Sequence, residues 1–400
     1  MRSFFLFFFI LISLDFIFSQ LFLLDILYKK ELLTFKNDIT YRVPDKEFKY
    51  SLKKNSKFET RYNYGSSYID YTIHTNNLGF RDSTVRNLNK NKNYSILIGD
   101  SFVEGVALEY KDSLVGLLNQ KLGPESFEKF EFLNAGVASY SPYLYKRKIE
   151  TIINDNKWLK VNSVIILYDK SDIGDNLQYL NRPSSFPTIQ KEYKNPKKEK
   201  LITDLKNFKF GSILTEQTMI GIVYRRILGD SVEKLLKNLK FRRDLSKQNS
   251  NSFFQVEKEK INAMYAIDQY DWLQKYFYED LWETEGKRSI DFAFETFKEL
   301  KFFLDKRNIK LYVLVYPWPF DLKDNIVRKK YLDYLNLKFS ENNLNNLIIY
   351  DEFLKGDIDQ NIFKYYLPKD VHFNREGNLI LKNKIYKTLL KDSIINDKRK

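Results

Sequence analysis

The sequence has 400 residues, 43% hydrophobic and 30% charged with both signs intermixed, which excludes a wholly disordered chain and allows one large domain or two smaller ones. It contains no cysteine and only two histidines, His74 and His372, so disulfides, thiolate metal sites and a conventional zinc site are excluded. Lys and Arg outnumber Asp and Glu by 66 to 52, but the basic clusters at 194–200 and 240–243 are broken by Asn, Pro, Glu or Phe, so the excess reads as solvated surface and not as a nucleic-acid site.

From Ser3 to Leu24 the chain is almost continuously Phe, Leu and Ile, long enough to cross a bilayer despite Asp15 and Gln20. Bulky residues continue to Leu24 without a small-residue cleavage site, which predicts an uncleaved N-terminal transmembrane helix over 1–25 with the rest of the chain exported. Charge alone does not orient it, because Arg2 and the amino terminus compete with Lys29, Lys30 and Lys36. Residues 26–92 are polar and aromatic and read as a connecting extracytoplasmic extension, ending in turn formers around Asn76, Asn77 and Gly79.

Short apolar runs then alternate with helical patterns. Tyr94–Ile98 is followed by a helical segment at 110–122, Phe130–Leu133 by one at 142–158, and Ser163–Tyr168 forms a third run. Leu311–Tyr316 and Leu347–Tyr350 add two more, separated by a helix over 328–339, and Arg375–Leu390 is a closing amphipathic helix. Buried strands alternating with helices predict a three-layer α/β/α, doubly wound, flavodoxin-like parallel sheet of about five strands, spanning 93–392. Residues 177–288 interrupt it with a mainly helical insertion; its aromatic stretch at 265–282 reads as a packing surface, with a lid over the site as the alternative.

In an open parallel sheet, ligands bind beyond the carboxyl ends of the strands. There stand Gly99-Asp100-Ser101-Phe102 after the first run, Asn134-Ala135-Gly136 after the second, Lys170-Ser171-Asp172 after the third, and Asp370-Val371-His372 before the last helix. A serine hydroxyl needs an imidazole to take its proton, and the imidazole needs a carboxylate to hold its tautomer. His74 has no carboxylate within three residues, whereas His372 has Asp370 two positions away, so Ser101, His372 and Asp370 are the candidate triad. The Ser101 and Gly136 N–H groups and the Ser171 hydroxyl are the candidate oxyanion donors. Asp172 and Asp175 fit helix capping, or a contact to a sugar or cation. A nucleotide-binding module is disfavoured, since neither G-x-G-x-x-G nor G-x-x-x-x-G-K-[ST] occurs.

Together, GDSF at 99–102, NAG at 134–136, SDIGDN at 171–176 and DVHFN at 370–374 resemble the ordered blocks of SGNH/GDSL hydrolases, and TNNLGFRD at 75–82 is similar to the lead-in of bacterial membrane-anchored members. The resemblance covers roughly residues 76–390. It implies Ser101 as nucleophile, Ser101, Gly136 and Ser171 at the oxyanion hole, Asp370 and His372 as acid and base, and no cofactor or metal. Two positions depart from the common pattern. Ser171 stands where the family usually has Asn, and D-x-H replaces the commoner D-x-x-H, as in the alginate O-acetyltransferase branch. The implied function is a serine esterase or O-acyltransferase acting on acyl, foremost acetyl, esters of envelope or secreted polysaccharide. The implied partners are an acylated carbohydrate or other ester, the membrane, and in the transferase case a membrane-bound acyltransferase. A non-catalytic, polysaccharide-binding protein that keeps the fold is the competing expectation.

Overall fold

The apolar runs become strands of one eight-stranded sheet: β3 (Lys57–Tyr64), β4 (Ser67–Thr75), β5 (Arg81–Asp82), β6 (Asn93–Ile98), β7 (Phe130–Asn134), β8 (Lys160–Tyr168), β9 (Lys310–Val315) and β10 (Asn345–Ile348). A separate hairpin pairs β1 (Arg42–Pro44) with β2 (Tyr50–Leu52). This is a computed structural model that describes residues 41–180 and 275–395 except 46, 49, 65, 66, 278–280 and 369, together with Leu14 and Asp15. The chain divides into two units, residues 1–38 with 187–256 and residues 39–186 with 257–400. All that follows concerns the second. The transmembrane helix expected over Ser3–Leu24 and most of the insertion at 177–288 lie outside the described residues, among which no helix is long and apolar enough to cross a membrane.

The sheet order is β10-β9-β8-β6-β7-β5-β4-β3. The five strands from β10 to β7 run parallel, as the alternation of strands and helices requires, whereas β5, β4 and β3 are added antiparallel. The sheet is therefore mixed and has eight strands where five were expected. The stretch read as a connecting extension is, over Lys57–Asp82, part of the sheet. It was overlooked because half-exposed antiparallel strands alternate apolar and polar residues and lack the continuous apolar run of a parallel strand.

Successive side chains of a strand face opposite ways, and each central strand feeds two cores. Ile96, Ile98, Val164, Ile166, Val313 and Val315 pack with Leu144, Tyr145 and Ile149 of the helix Pro142–Asp155, with Phe294 and Phe297 of Lys287–Asp305, and with Tyr331 and Leu335 of Asn325–Asn342. Leu97, Ile165, Leu167 and Leu314 face the other way, onto Leu114 and Leu118 of Leu114–Leu122 and Leu381 and Ile385 of Arg375–Lys391. The result is three layers, with the carboxyl ends of β6, β7 and β8 side by side.

Candidate active site

The chain leaves β6 through Gly99, where a Cβ would lie 2.5 Å from Val103 Cγ2 and 3.2 Å from Leu167 Cβ, so only glycine fits the turn. Asp100 Oδ1 then accepts the Phe102 N–H at 3.0 Å and caps the one-turn helix Ser101–Glu104. Gly105, left-handed at φ 79°, ends that helix and donates its N–H to the Ser101 carbonyl at 2.9 Å. This elbow presents Ser101 at the carboxyl edge of the sheet.

His372 arrives from the opposite end of the sequence on a tight loop before the closing helix. Leu367 donates its N–H to the His372 carbonyl at 2.8 Å, Asp370 donates to the Leu367 carbonyl at 3.2 Å, and Asn374 caps the helix by accepting from Glu376 and Gly377. The two-residue spacing has a geometric use: Asp370 Oδ1 accepts the His372 backbone N–H at 2.9 Å in an Asx-type turn and also bonds the ring Nδ1. His372 Nε2 then lies 2.7 Å from Ser101 Oγ. Ser101, His372 and Asp370 thus meet in hydrogen-bond order, with the Phe102 ring 4.7 Å from the imidazole centre.

Burial alone would depress His372, but the charge of Asp370 and its hydrogen bond outweigh that and hold the imidazole above its ordinary value. Burial likewise works to raise Asp370. The charge and ring hydrogen bond of His372, with the His372 backbone N–H, hold it below the ordinary carboxylate value. The pair is tuned so that the carboxylate stays ionised while the ring has a strong affinity for a proton.

The expected oxyanion donors fare differently. Among the described residues the Ser101 N–H meets no acceptor. Gly136 packs against the elbow so closely that a Cβ would sit 2.4 Å from the Glu104 nitrogen, yet its N–H donates to Asn134 Oδ1 at 3.1 Å, and Asn134 Nδ2 in turn donates to the Val103 carbonyl at 2.7 Å. Ser171 is adjacent but committed: its hydroxyl donates to Asp169 Oδ1 at 2.6 Å and lies 3.4 Å from Asp100 Oδ2.

Sequence reasoning missed the buried carboxylates beneath the nucleophile. Asp169, the first polar residue after β8, accepts from the Ser171 N–H at 2.8 Å, the Tyr316 hydroxyl at 2.8 Å and Trp318 Nε1 at 3.0 Å, besides the Ser171 hydroxyl. Asp100 Oδ2 lies 3.3 Å from Ser101 Oγ, and burial, reinforced by the nearby charge of Asp169, pushes the Asp100 carboxyl up to about 8. Asp172, also buried, caps back to the Asp169 N–H at 3.1 Å and accepts from Tyr145 at 2.9 Å, which leaves it no role toward an external sugar. Only its position just past an apolar run could have flagged Asp169. Among the described residues no group of three or more His, Asp or Glu is placed to hold a metal ion.

No protein-family model and no curated protein matches the chain. Among solved structures it is similar to a member of the lipolytic G-D-S-L family from Veillonella parvula, at 11% identity and TM-score 0.35, over 75% of this chain and 99% of that one. It is also similar to an acetyl xylan esterase from Geobacillus stearothermophilus, at 14% identity and TM-score 0.33, over 75% of this chain and 96% of that one. A third such structure is an acylhydrolase from Bacteroides fragilis, described as putative, at 11% identity and TM-score 0.34, over 76% of this chain and 89% of that one.

Proposed function

We propose that this chain is a serine-dependent carboxylic ester hydrolase of the SGNH/GDSL type, working through an acyl-Ser101 intermediate. One observation carries the reading: His372 bonds Asp370 through Nδ1 and stands 2.7 Å from Ser101 Oγ through Nε2. In this reading His372 takes the Ser101 proton as the oxygen attacks an ester carbonyl, and returns it to the departing alcohol. Asp370 holds the tautomer and offsets the imidazolium charge. The unengaged Ser101 N–H faces the developing oxyanion, and Gly136 joins it by releasing Asn134. Ser171 serves through its support of Asp169 and Asp100, not as a donor to substrate.

The finer reading is an acetyl ester of envelope or secreted polysaccharide, cleaved by water or passed to a sugar hydroxyl, in an exported chain anchored by its N-terminal segment. The D-x-H spacing and the apolar run at 3–24 support it. Hydrolysis and transfer share the acyl-serine and differ only in the acceptor. The test is release of phenol from an aryl acetate by the full chain in detergent, with Ser101→Ala and His372→Ala abolishing it; equal turnover by all three proteins rejects the proposal. The commitment of Ser171 to Asp169 and of Gly136 to Asn134 favours the binding-protein alternative. A fluorophosphonate probe decides between them, because covalent labelling of Ser101 contradicts a purely binding role.

A further inference from the structure

The hairpin of β3 and β4 is only partly a sheet element. Within the sheet β4 meets β5 at His74 and Thr75 alone, so most of the hairpin projects past the sheet edge. Its flank is fastened to the loop after the nucleophile helix, where Thr72 donates its N–H to Glu109 Oε1 at 3.0 Å, and buried Arg81 of the neighbouring β5 donates to the Gly105 and Leu108 carbonyls of the same loop. Farther out, Tyr62 and its cross-strand partner Ile69 pack with Val106, Ala107, Ala138 and Leu367 in a small apolar cluster. Those four belong to the three loops that carry Ser101, Gly136 and His372.

We infer that Tyr62 is a positioning residue for the Asp370–His372 pair, contributed by this projecting hairpin. Its ring stands edge-on to the imidazole, with centroids 6.0 Å apart and planes at 88°. Asp370, held by the ring and backbone N–H groups of His372, fixes one side of the imidazole, and the Tyr62 ring bounds another. An edge-on aromatic contact restricts the tilt of the imidazole and so keeps Nε2 directed at Ser101 Oγ. The Asp100 and Asp169 carboxyls also face His372, which places the imidazole among three carboxyls and the Tyr62 ring.

The role rests on the hydrolase reading, and the experiment separates the two. Tyr62→Leu keeps an apolar side chain in the cluster and removes the aromatic edge, whereas Tyr62→Phe retains the edge. Loss of the edge contact predicts a fall in kcat of about two- to tenfold with KM unchanged in Tyr62→Leu, and wild-type kcat in Tyr62→Phe. His372 is one of only two histidines, so its imidazole can be followed by NMR titration in wild type and Tyr62→Leu, and its midpoint is expected to move. An unchanged midpoint together with unchanged kcat in Tyr62→Leu overturns the inference. If wild type shows no Ser101-dependent turnover, the hydrolase reading fails while the titration still decides whether Tyr62 governs the pair. An unfolding curve matching that of wild type excludes a trivial loss of fold.

Discussion

Replacing Asp100 by Asn tests the protonation state of the carboxyl beneath the nucleophile. Asp100 Oδ2 lies 3.3 Å from Ser101 Oγ, and burial with the charge of Asp169 raises its carboxyl to about 8, so at neutral pH it is mostly protonated. An ionised Asp100 would place a negative charge near the developing oxyanion, and two like charges about 4 Å apart at an effective dielectric near 20 repel by about 4 kcal/mol, on the order of a thousandfold in rate. Only the protonated form then turns over, and a group of pKa about 8 is protonated in only about a tenth of molecules at pH 9. Wild-type kcat/KM on an aryl acetate, corrected for spontaneous hydrolysis, should therefore fall about tenfold per pH unit above 8. Asp100→Asn, whose amide oxygen still caps Phe102, should keep its rate to pH 9.5. The sign for stability runs the same way: the native state holds a proton that the unfolded chain releases near pH 4, so stability is lost as pH rises from there to about 8, and the variant gains most at alkaline pH. A wild-type rate that stays level to pH 9.5, or a variant that declines in parallel with wild type, refutes the reasoning.

On the acid side, His372 must be neutral to act as base and its pKa is held up by Asp370, so kcat/KM should rise through a midpoint above the ordinary ~6.5. The stability that the Asp370–His372 pair contributes is full between ~3.9 and ~6.5, fades as pH climbs through the raised His372 midpoint, and is lost again as pH falls through the lowered Asp370 value. Asp370→Asn should move the midpoint down and lower kcat by about 10⁴-fold, read from the same pH profile. Gly136→Ala drives a methyl against the Glu104 nitrogen at 2.4 Å and should cost about 1–3 kcal/mol in urea unfolding, with a larger loss of activity because the displaced atoms belong to the Ser101 helix. Lys170 and Asp321 form an ion pair with side chains 5% and 1% exposed, and Asp321 also accepts from the Trp318 N–H at 2.9 Å. Asp321→Asn should destabilise by about 3–5 kcal/mol, since it leaves a buried cation without its counter-charge, while Lys170→Met/Asp321→Asn should cost less than the single change.

Much of the parallel core was legible because its signal is local. A strand covered on both faces must be apolar throughout, and Tyr94–Ile98, Phe130–Leu133 and Ser163–Tyr168 announce themselves as β6, β7 and β8 within a few residues. The antiparallel strands were missed although Ile69, Tyr71 and Ile73 alternate along β4, because that pattern suits a sheet with one face partly exposed.

The sequence by itself narrowed the candidates for acyl chemistry: with two histidines and one of them two positions from an aspartate, Ser101, Asp370 and His372 follow as candidates from residue types and from the rule that loops at strand ends build sites. It also placed a turn at Gly99-Asp100-Ser101, whereas the closing of that turn by left-handed Gly105 was decided by the structure. Only the tertiary structure decided what surrounds the triad. That Asp169 claims the Ser171 hydroxyl, that Asn134 holds the Gly136 N–H, and that the Tyr62 ring meets His372 from more than three hundred residues away are outcomes of packing. No local pattern encodes them, because a hydrogen bond is set by distance and direction in space, and separation along the chain carries information about neither.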